Sequence, residues 1–203
     1  MVQELTSGDN AQFRAYHARV REAPPRPGLI AVLGRFPAPG LAVDIGAGNG
    51  RDSLPMLARG WSVVAIDQDR AALADLRERA REQGSDRRLR VRPGPMETVP
   101  LPRADLVVSS FALPLCEPGR FAALWRRIRR SLRPGGRFAG QLYGPRDGWS
   151  GRAGVCIHDR PAIESLLGGL EVERLDEIEE DSVTPRGTPK HWHFFEIVAR
   201  RPG

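Results

Sequence analysis

From Leu41 onward, short apolar runs rich in β-branched residues alternate with longer stretches whose apolar residues recur every three or four positions. The runs LAVDI (41–45), WSVVAID (61–67), RLRVR (88–92), DLVVSS (105–110) and RFAGQLY (137–143) predict strands. Between them Asn49–Arg59, Arg70–Gln83 and Pro118–Leu132 predict helices. The second of these gathers Ala72, Leu73, Leu76 and Ala80 on one face with Arg and Glu opposite. Gly60, Gly84 and Gly135 supply the stops. Pro55 fits its helix only if it lies in the first turn, where its missing N–H is not needed. Strands and helices in this alternation predict a parallel sheet.

After Tyr143 the pattern changes. The Gly-rich stretch GPRDGWSGRAG is followed by a helix over Arg160–Leu167. Two strand-like runs come next, LEVERLDEIEE and HWHFFEIVAR, joined by SVTPRGTPK and predicted to form an antiparallel hairpin. The fold class predicted is α/β: a doubly wound, mostly parallel seven-stranded sheet with helices on both faces and a C-terminal antiparallel hairpin. Upstream, a helix near Asp9 to Glu22 and a Pro-broken segment (PPRPG, PAPG) make residues 1–40 an N-terminal arm on a single domain spanning 41–203.

Composition narrows the classes. At 203 residues, with 40% hydrophobic and 28% charged content, the chain can bury a core without staples. The two cysteines, Cys116 and Cys156, stand far apart with no metal-ligand spacing, so neither a disulfide framework nor a zinc site is expected, and a reducing cytoplasm fits. There is no signal-peptide pattern at the N-terminus and no apolar run long enough to span a membrane. The net charge of +6 raises a nucleic-acid partner, but Lys190 is the only lysine among 31 basic residues, which reads as an arginine bias rather than a designed footprint. The helix FAALWRRIRRSL turns Arg126, Arg127, Arg129 and Arg130 outward as a solvated face, with the acid-rich run 171–181 as counterweight.

The candidate chemistry begins at LAVDIGAGNGRDS, where a strand carrying Asp44 ends and Gly46, Gly48 and Gly50 open the next helix. Asp67 follows 21 residues after Gly46, at the end of the second strand, where a carboxylate can accept both ribose hydroxyl protons of an adenine nucleoside. A nicotinamide dinucleotide fingerprint is GxGxxG, with a pyrophosphate on the helix N-terminus. Here the spacing is GxGxG, and Asp44 would repel a pyrophosphate but could organise the loop or accept from a cationic amino group.

These residues resemble motifs I and II of the class I S-adenosylmethionine (SAM) dependent methyltransferases, and the likeness runs from Leu41 to the end. VRPGPMETVPL resembles that family's adenine loop, SSFALPLC the loop beside the reactive methyl, and LRPGG the turn before strand five. KHWHFFEIVARR and GNGRDS are similar to the small bacterial branch that includes tellurite-resistance and thiopurine-type enzymes. The resemblance implies that Asp44 organises the loop and that Gly46, Ala47 and Gly48 line the methionine moiety. It implies Asp67 for the ribose, Gln68, Met96 and Glu97 for the adenine, and Ser109 and Phe111 for the methyl end.

The implied reaction is in-line transfer of a methyl group from SAM to a small-molecule acceptor with an O-, S- or carboxylate-type nucleophile, leaving S-adenosylhomocysteine. The leaving thioether is neutral, so alignment and exclusion of water are what the protein must supply, without a metal. A thiolate or carboxylate needs no base; a phenol does. The Asn/Asp-Pro-Pro-Tyr/Phe tetrapeptide of amino-group methyltransferases is absent after strand four, which favours a small, possibly anionic acceptor. His158, Arg146 and Asp147 in the loop after strand five, and Tyr16 on the N-terminal helix, are the candidates around it, with Phe111, Leu113, Cys116, Tyr143, Trp149 and Arg19 as neighbours. His191 and His193 alternate with aromatics on the last strand and read as structural, and Cys116 as a buried hydrophobe. Two rival readings are a non-catalytic SAM-binding protein and a nucleotide-dependent oxidoreductase.

Overall fold

The first strand, β1 (Leu41–Ile45), shows how the pattern becomes architecture. Val43 and Ile45 enter the core on one face of the sheet and Ala42 enters a second core on the other, so a strand apolar on both sides is central and parallel. The computed structural model describes residues 19–185 and 187–203. Its further strands are β2 (Ser62–Asp67), β3 (Leu89–Pro93), β4 (Ala104–Ser109), β5 (Leu132–Tyr143), β6 (Glu171–Val183) and β7 (Pro189–Arg200). They form one seven-stranded sheet in the order β3-β2-β1-β4-β5-β7-β6. β1 pairs in parallel with β2 and β4, as do β2 with β3 and β4 with β5. β7 runs antiparallel between β5 and β6, as the predicted hairpin requires.

The helices are α1 (Pro27–Leu33), α2 (Ser53–Ala58), α3 (Arg70–Glu82), α4 (Pro118–Ser131) and α5 (Arg160–Leu167). α1, α2 and α3 cover one face through Leu29, Val32, Leu33, Leu54, Met56, Leu57, Leu73, Leu76 and Ala80. On the other face α4 and α5 contribute Phe121, Leu124, Trp125, Ile128, Ile163 and Leu167. Each large side chain so buried contributes about 1.5–3 kcal/mol. Trp125 also donates its indole N–H to the Leu166 carbonyl at 2.8 Å, tying α4 to α5.

Four differences from the sequence reading have physical causes. α2 starts at Ser53, four residues after Asn49, because the glycine turn uses up Asn49–Asp52; Pro55 is then the third helical residue and displaces no intrahelical bond. β5 starts at Leu132, five residues before Arg137, with an irregularity in its pairing between Ala104 and Leu106. α1 lies where a Pro-broken connection was expected: Pro27 stands in its first turn, where a fixed φ favours the helix, and its apolar residues face the sheet. The α4 arginines are not all solvated. Arg127 donates to the carbonyls of Met96, Glu97 and Val99, and Arg129 to that of Gly168. The acids of β6 are paired instead with Arg35, Arg137, Arg146, Arg160 and Arg200. Of the predicted helix over Asp9–Glu22, only its last residues are described, Arg19 and Val20 being helical.

Candidate functional site

Strand order reverses between β1 and β4, and a crevice opens at the carboxyl ends of the strands beside such a switch. The glycine turn sits there. Gly46 (φ 75°) and Ala47 donate their N–H groups to the Ile66 carbonyl at 2.8 and 3.0 Å, which clamps the turn to the end of β2. A Cβ on Gly46 would lie 2.2 Å from that of Ala112, so the loop after β4 passes directly against the turn. Gly48 (φ 52°) donates to Asp67 Oδ2 at 2.8 Å, and the Asp69 N–H to Asp67 Oδ1 at 2.9 Å. Two of the carboxylate's four acceptor sites are thus used and two are left for hydroxyl donors. Gln68 is exposed beside it.

Under the turn, Asp44 is buried and its Oδ2 accepts the Ser53 hydroxyl at 2.6 Å. Burial, then the nearby Asp52 and Asp67 charges, push its carboxyl up to about 8 against the opposing effects of Ser53 and Arg26. Arg26, just before α1, holds Nε 3.5 Å from Asp52 Oδ2. Among the described residues, Arg26 Nε and Asp52 Oδ1 have no hydrogen-bond partner. The Asp52 and Asp67 carboxylates beside a buried Asp44 carboxyl suit a cationic ligand and oppose a pyrophosphate.

Next to the turn, Met96 packs half-buried on the core and Glu97 Oε1 accepts the Glu117 N–H at 3.0 Å, both on a loop stapled by Arg127. Ser109 is buried, its hydroxyl donating to the Ile45 carbonyl at 3.1 Å, so it joins β4 to β1. Phe111 has φ 58°, a left-handed conformation that costs a non-glycine residue about 1–2 kcal/mol. Its ring is held by Phe194 at 5.1 Å, Trp192 at 5.6 Å and Tyr143 at 6.3 Å between centroids, with the Arg26 guanidinium 5.4 Å from its centre. An aromatic wall therefore adjoins the acidic turn.

Behind this wall lies a cation. Lys190 Nζ is 3.5 Å from the Trp192 ring centre, 4.2 Å from Tyr143 and 4.3 Å from Trp149, and 2.8 Å from Asp147 Oδ2. Asp147 also accepts the N–H groups of Trp149 and His193. Both side chains are buried, so this pair fixes the loop after β5 onto β7. Burial lowers the Lys190 pKa, opposed by Asp147.

The other expected residues are spread along the same edge. Arg146 is exposed, its guanidinium bound to Glu177 and Glu179 of β6, while its backbone N–H donates to His193 Nδ1 at 3.0 Å. His193, fully buried, therefore carries its proton on Nε2, facing Glu177 Oε1 at 3.0 Å, and is structural. His191 bonds Asp181 and Glu179 at the surface. His158 packs against Phe121 at a tilt, 4.4 Å between centroids, and its Nδ1 is buried without a partner among the described residues. Burial lowers its pKa. Cys116 is buried, as is Cys156, whose thiol donates to the Cys116 carbonyl. Tyr16 lies outside the described residues. The structure thus gathers Asp44, Gly46, Ala47, Gly48 and Asp67 at one turn with the Phe111 loop against it, whereas Arg146 is engaged by Glu177 and Glu179, Asp147 by Lys190, and His158 packs against Phe121.

Sequence reasoning passed over Arg26, Trp192 and Phe194 as parts of this edge. A lone arginine in a Pro-rich connection carries no motif, and the β7 aromatics meet Phe111 only through the antiparallel return of the chain. The alternation of Trp192 and Phe194 on one strand face was the available signal.

Residues 42–136 match the family model of a methyltransferase domain. No curated protein matches the sequence. The matched segment holds the glycine turn, Asp67 and the loops after β3 and β4, and the fold is shared with solved methyltransferase structures. Among solved structures it is similar to TehB from Haemophilus influenzae, with 14% identity and a TM-score of 0.78, covering 92% of this chain and 65% of that one. The chain thus spans just under two thirds of the TehB length. It is also similar to the 1,6-didemethyltoxoflavin-N1-methyltransferase of Burkholderia thailandensis, which has 1,6-didemethyltoxoflavin and S-adenosylhomocysteine bound. There identity is 20% and the TM-score 0.66, with 100% of this chain and 94% of that one covered. For the magnesium protoporphyrin IX methyltransferase of Synechocystis, with bound SAM, the values are 16%, 0.63, 99% and 86%.

Proposed function

We propose that the chain methylates a small-molecule acceptor held against Phe111 at the carboxyl edge of β4. The observation that carries this reading is the contact of two unlike surfaces: an acidic glycine turn that complements a cation, and an aromatic wall around a strained Phe111. In this reading Asp67 binds the ribose hydroxyls, and Gln68, Met96 and Glu97 frame the adenine. Gly46, Ala47 and Gly48 take the methionine moiety. Asp44 acts beneath them as the buried carboxyl that orients the turn through Ser53, and Ser109 and Phe111 border the methyl. When bound, SAM supplies an electrophilic methyl on a sulfonium whose departure leaves a neutral thioether.

The protein's own work is then alignment and drying of the site. Phe111, Trp192 and Phe194 exclude water and give the acceptor a flat apolar seat. We assign His158 as the base for an acceptor that must lose a proton, because its Nδ1 is unpartnered and burial keeps the imidazole neutral. Asp147 and Arg146 position the loop that carries it. The engagement of Arg146 by two glutamates favours a neutral acceptor over an anionic one. Segment 19–26 supports the reading of an N-terminal arm. Arg19 reaches Pro185 at the hairpin tip, Arg21 reaches Asp75 of α3, and Arg51 holds the Pro24 carbonyl, so the segment crosses the edge above the turn. No helix among the described residues is long and apolar enough to cross a membrane, and Cys116 and Cys156 are free thiols, which supports a cytoplasmic setting. The test is release of S-adenosylhomocysteine on incubation with SAM and a panel of phenols, thiols, carboxylates and heterocycles. Product with none of them, in protein that binds SAM, would favour a non-catalytic role.

A further inference from the structure

At the amino ends of the central strands, at the opposite end of the sheet from the glycine turn, a cavity of about 590 Å³ opens to solvent. It lies between the connection from α1 to β1, the Pro134–Gly136 bend of β5 and the outer strands β6 and β7. Its width follows from the residues around it. Gly40, Gly135 and Gly136 bring no side chains to the walls, and Gly136 is obligatory, since a Cβ there would lie 2.9 Å from the Arg133 carbonyl oxygen. Pro37 and Pro39 stiffen the connection. Phe36 anchors it by meeting the buried Trp61 edge-on, 4.9 Å between centroids.

The charges around this cavity do not cancel. Arg137 grips Glu173 through Nε and Nη2, each at 2.9 Å, and Arg35 brings its Nη1 to the same carboxylate at 3.0 Å. Arg133 neutralises Asp105, and Glu171 neutralises Arg200, both at 2.7 Å. One carboxylate therefore answers two guanidiniums, and the mouth keeps one positive charge in excess. Hydrogen bonding from Arg137 and the charges of Arg137 and Arg35 hold the Glu173 carboxyl below the ordinary carboxylate range against the effect of burial, so it stays ionised. Arg137 is also fixed in place: its guanidinium lies 4.9 Å from the centre of the Phe36 ring, and its side chain is only 14% exposed. An uncompensated cation in a concave, partly dried site attracts an anion more strongly than one on open surface. The grip on Glu173 leaves Arg137 Nη1 and Arg35 Nη2 with N–H donors to give.

We propose that this cavity is a second binding site, for a small organic oxyanion: a carboxylate or phosphate monoester carried on an apolar body. Arg35 and Arg137 receive the oxyanion, and the body rests on Pro37, Ala38, Pro39 and Pro134, which line the same cavity. The volume suits a ring-bearing molecule rather than an inorganic ion. The site does not depend on the reading of the crevice at the other end of the sheet.

The experiment titrates benzoate, phenyl phosphate and the neutral benzyl alcohol into the isotope-labelled full chain, followed by NMR. At least one anion is expected to bind about tenfold or more tightly than benzyl alcohol and to shift the Gly135 and Gly136 amides but not that of Gly48. The tighter anion names the oxyanion. Arg35→Gln removes the excess charge and leaves the Arg137 grip on Glu173, and Ala38→Asp adds an acid at the mouth. Each is expected to weaken the anion about tenfold or more, with thermal melting unchanged to show that the variants fold. Binding of neither anion, equal binding of anions and benzyl alcohol, shifts centred on Gly48, or an anion affinity untouched by both substitutions overturns the inference.

Discussion

The Gly48 N–H donates to the Asp67 carboxylate at 2.8 Å, so the turn after β1 and the end of β2 are joined through a group that the proposed ribose contact also uses. Asp67→Ala therefore removes two functions together. Its affinity for SAM and S-adenosylhomocysteine is expected to fall by about 1.5–3 kcal/mol, the worth of a charge-assisted bidentate contact. Gly46→Ala, by contrast, is expected to lower stability first, because its Cβ meets Ala112. Titration calorimetry and denaturant melts on the two variants separate these effects. Unchanged affinity in Asp67→Ala would contradict the ribose assignment.

Asp44 makes the stability of the chain depend on pH. Its folded-state pKa of about 8 lies above the unfolded value near 4. Between these values the folded chain holds a proton that the unfolded chain has released, so stability declines as pH rises from about 4 to about 8. A cationic ligand on the turn favours the ionised carboxylate, so SAM affinity should climb over the upper part of the same window. Asp44→Asn, which can still accept from Ser53, is expected to flatten both dependences. Urea melts and SAM titrations at several pH values check this, and parallel slopes in wild type and variant would remove Asp44 from the account.

His158→Ala is expected to leave SAM affinity within about threefold and to lower turnover at least tenfold, about 1.4 kcal/mol of transition-state stabilisation. With a base at this position the wild-type rate rises through a midpoint below the ordinary histidine value, as burial dictates, and the variant lacks that limb. Arg146→Ala, whose guanidinium is occupied by Glu177 and Glu179, should reduce turnover less. Equal losses in the two variants would point to the loop as a whole rather than to the imidazole.

The Lys190–Asp147 pair tests the packing behind the site. Lys190→Met leaves a buried carboxylate uncompensated and is expected to cost about 3–5 kcal/mol. Lys190→Arg should also destabilise, because a planar guanidinium does not fit a box of three rings at 3.5–4.3 Å. That geometry gives a reason for the one lysine among 31 basic residues. Full stability of Lys190→Arg in thermal melts would show that the box tolerates either cation.

Local signals made most of the fold legible. β1 has the bounds its pattern predicts because its apolar run ends in glycines, and the hairpin is legible because two long β-rich runs flank a turn-rich segment, although its strands reach on to Val183 and back to Pro189. The Gly46–Gly48 turn and Asp67 were legible for the same reason: one strand end and a fixed spacing place them. α1 was not, because the prolines that start it also look like breakers. The extra length of β5 was hidden behind PGG. Least legible were contacts between distant segments, such as Arg26 with Phe111, Gln141 beside Glu196 and Lys190 inside its aromatic box. Their only trace was a polar residue interrupting an apolar strand, whose partner depends on the register with another strand.

The most direct test of the central claim is a calorimetric titration of the wild-type chain with SAM and, separately, with a nicotinamide dinucleotide, repeated on Gly48→Val. The account predicts saturable binding of SAM at one site per chain, no measurable binding of the dinucleotide, and loss of SAM binding in Gly48→Val, whose branched side chain occupies the turn. Binding of the dinucleotide in place of SAM, or SAM affinity unaffected by Gly48→Val, would contradict it.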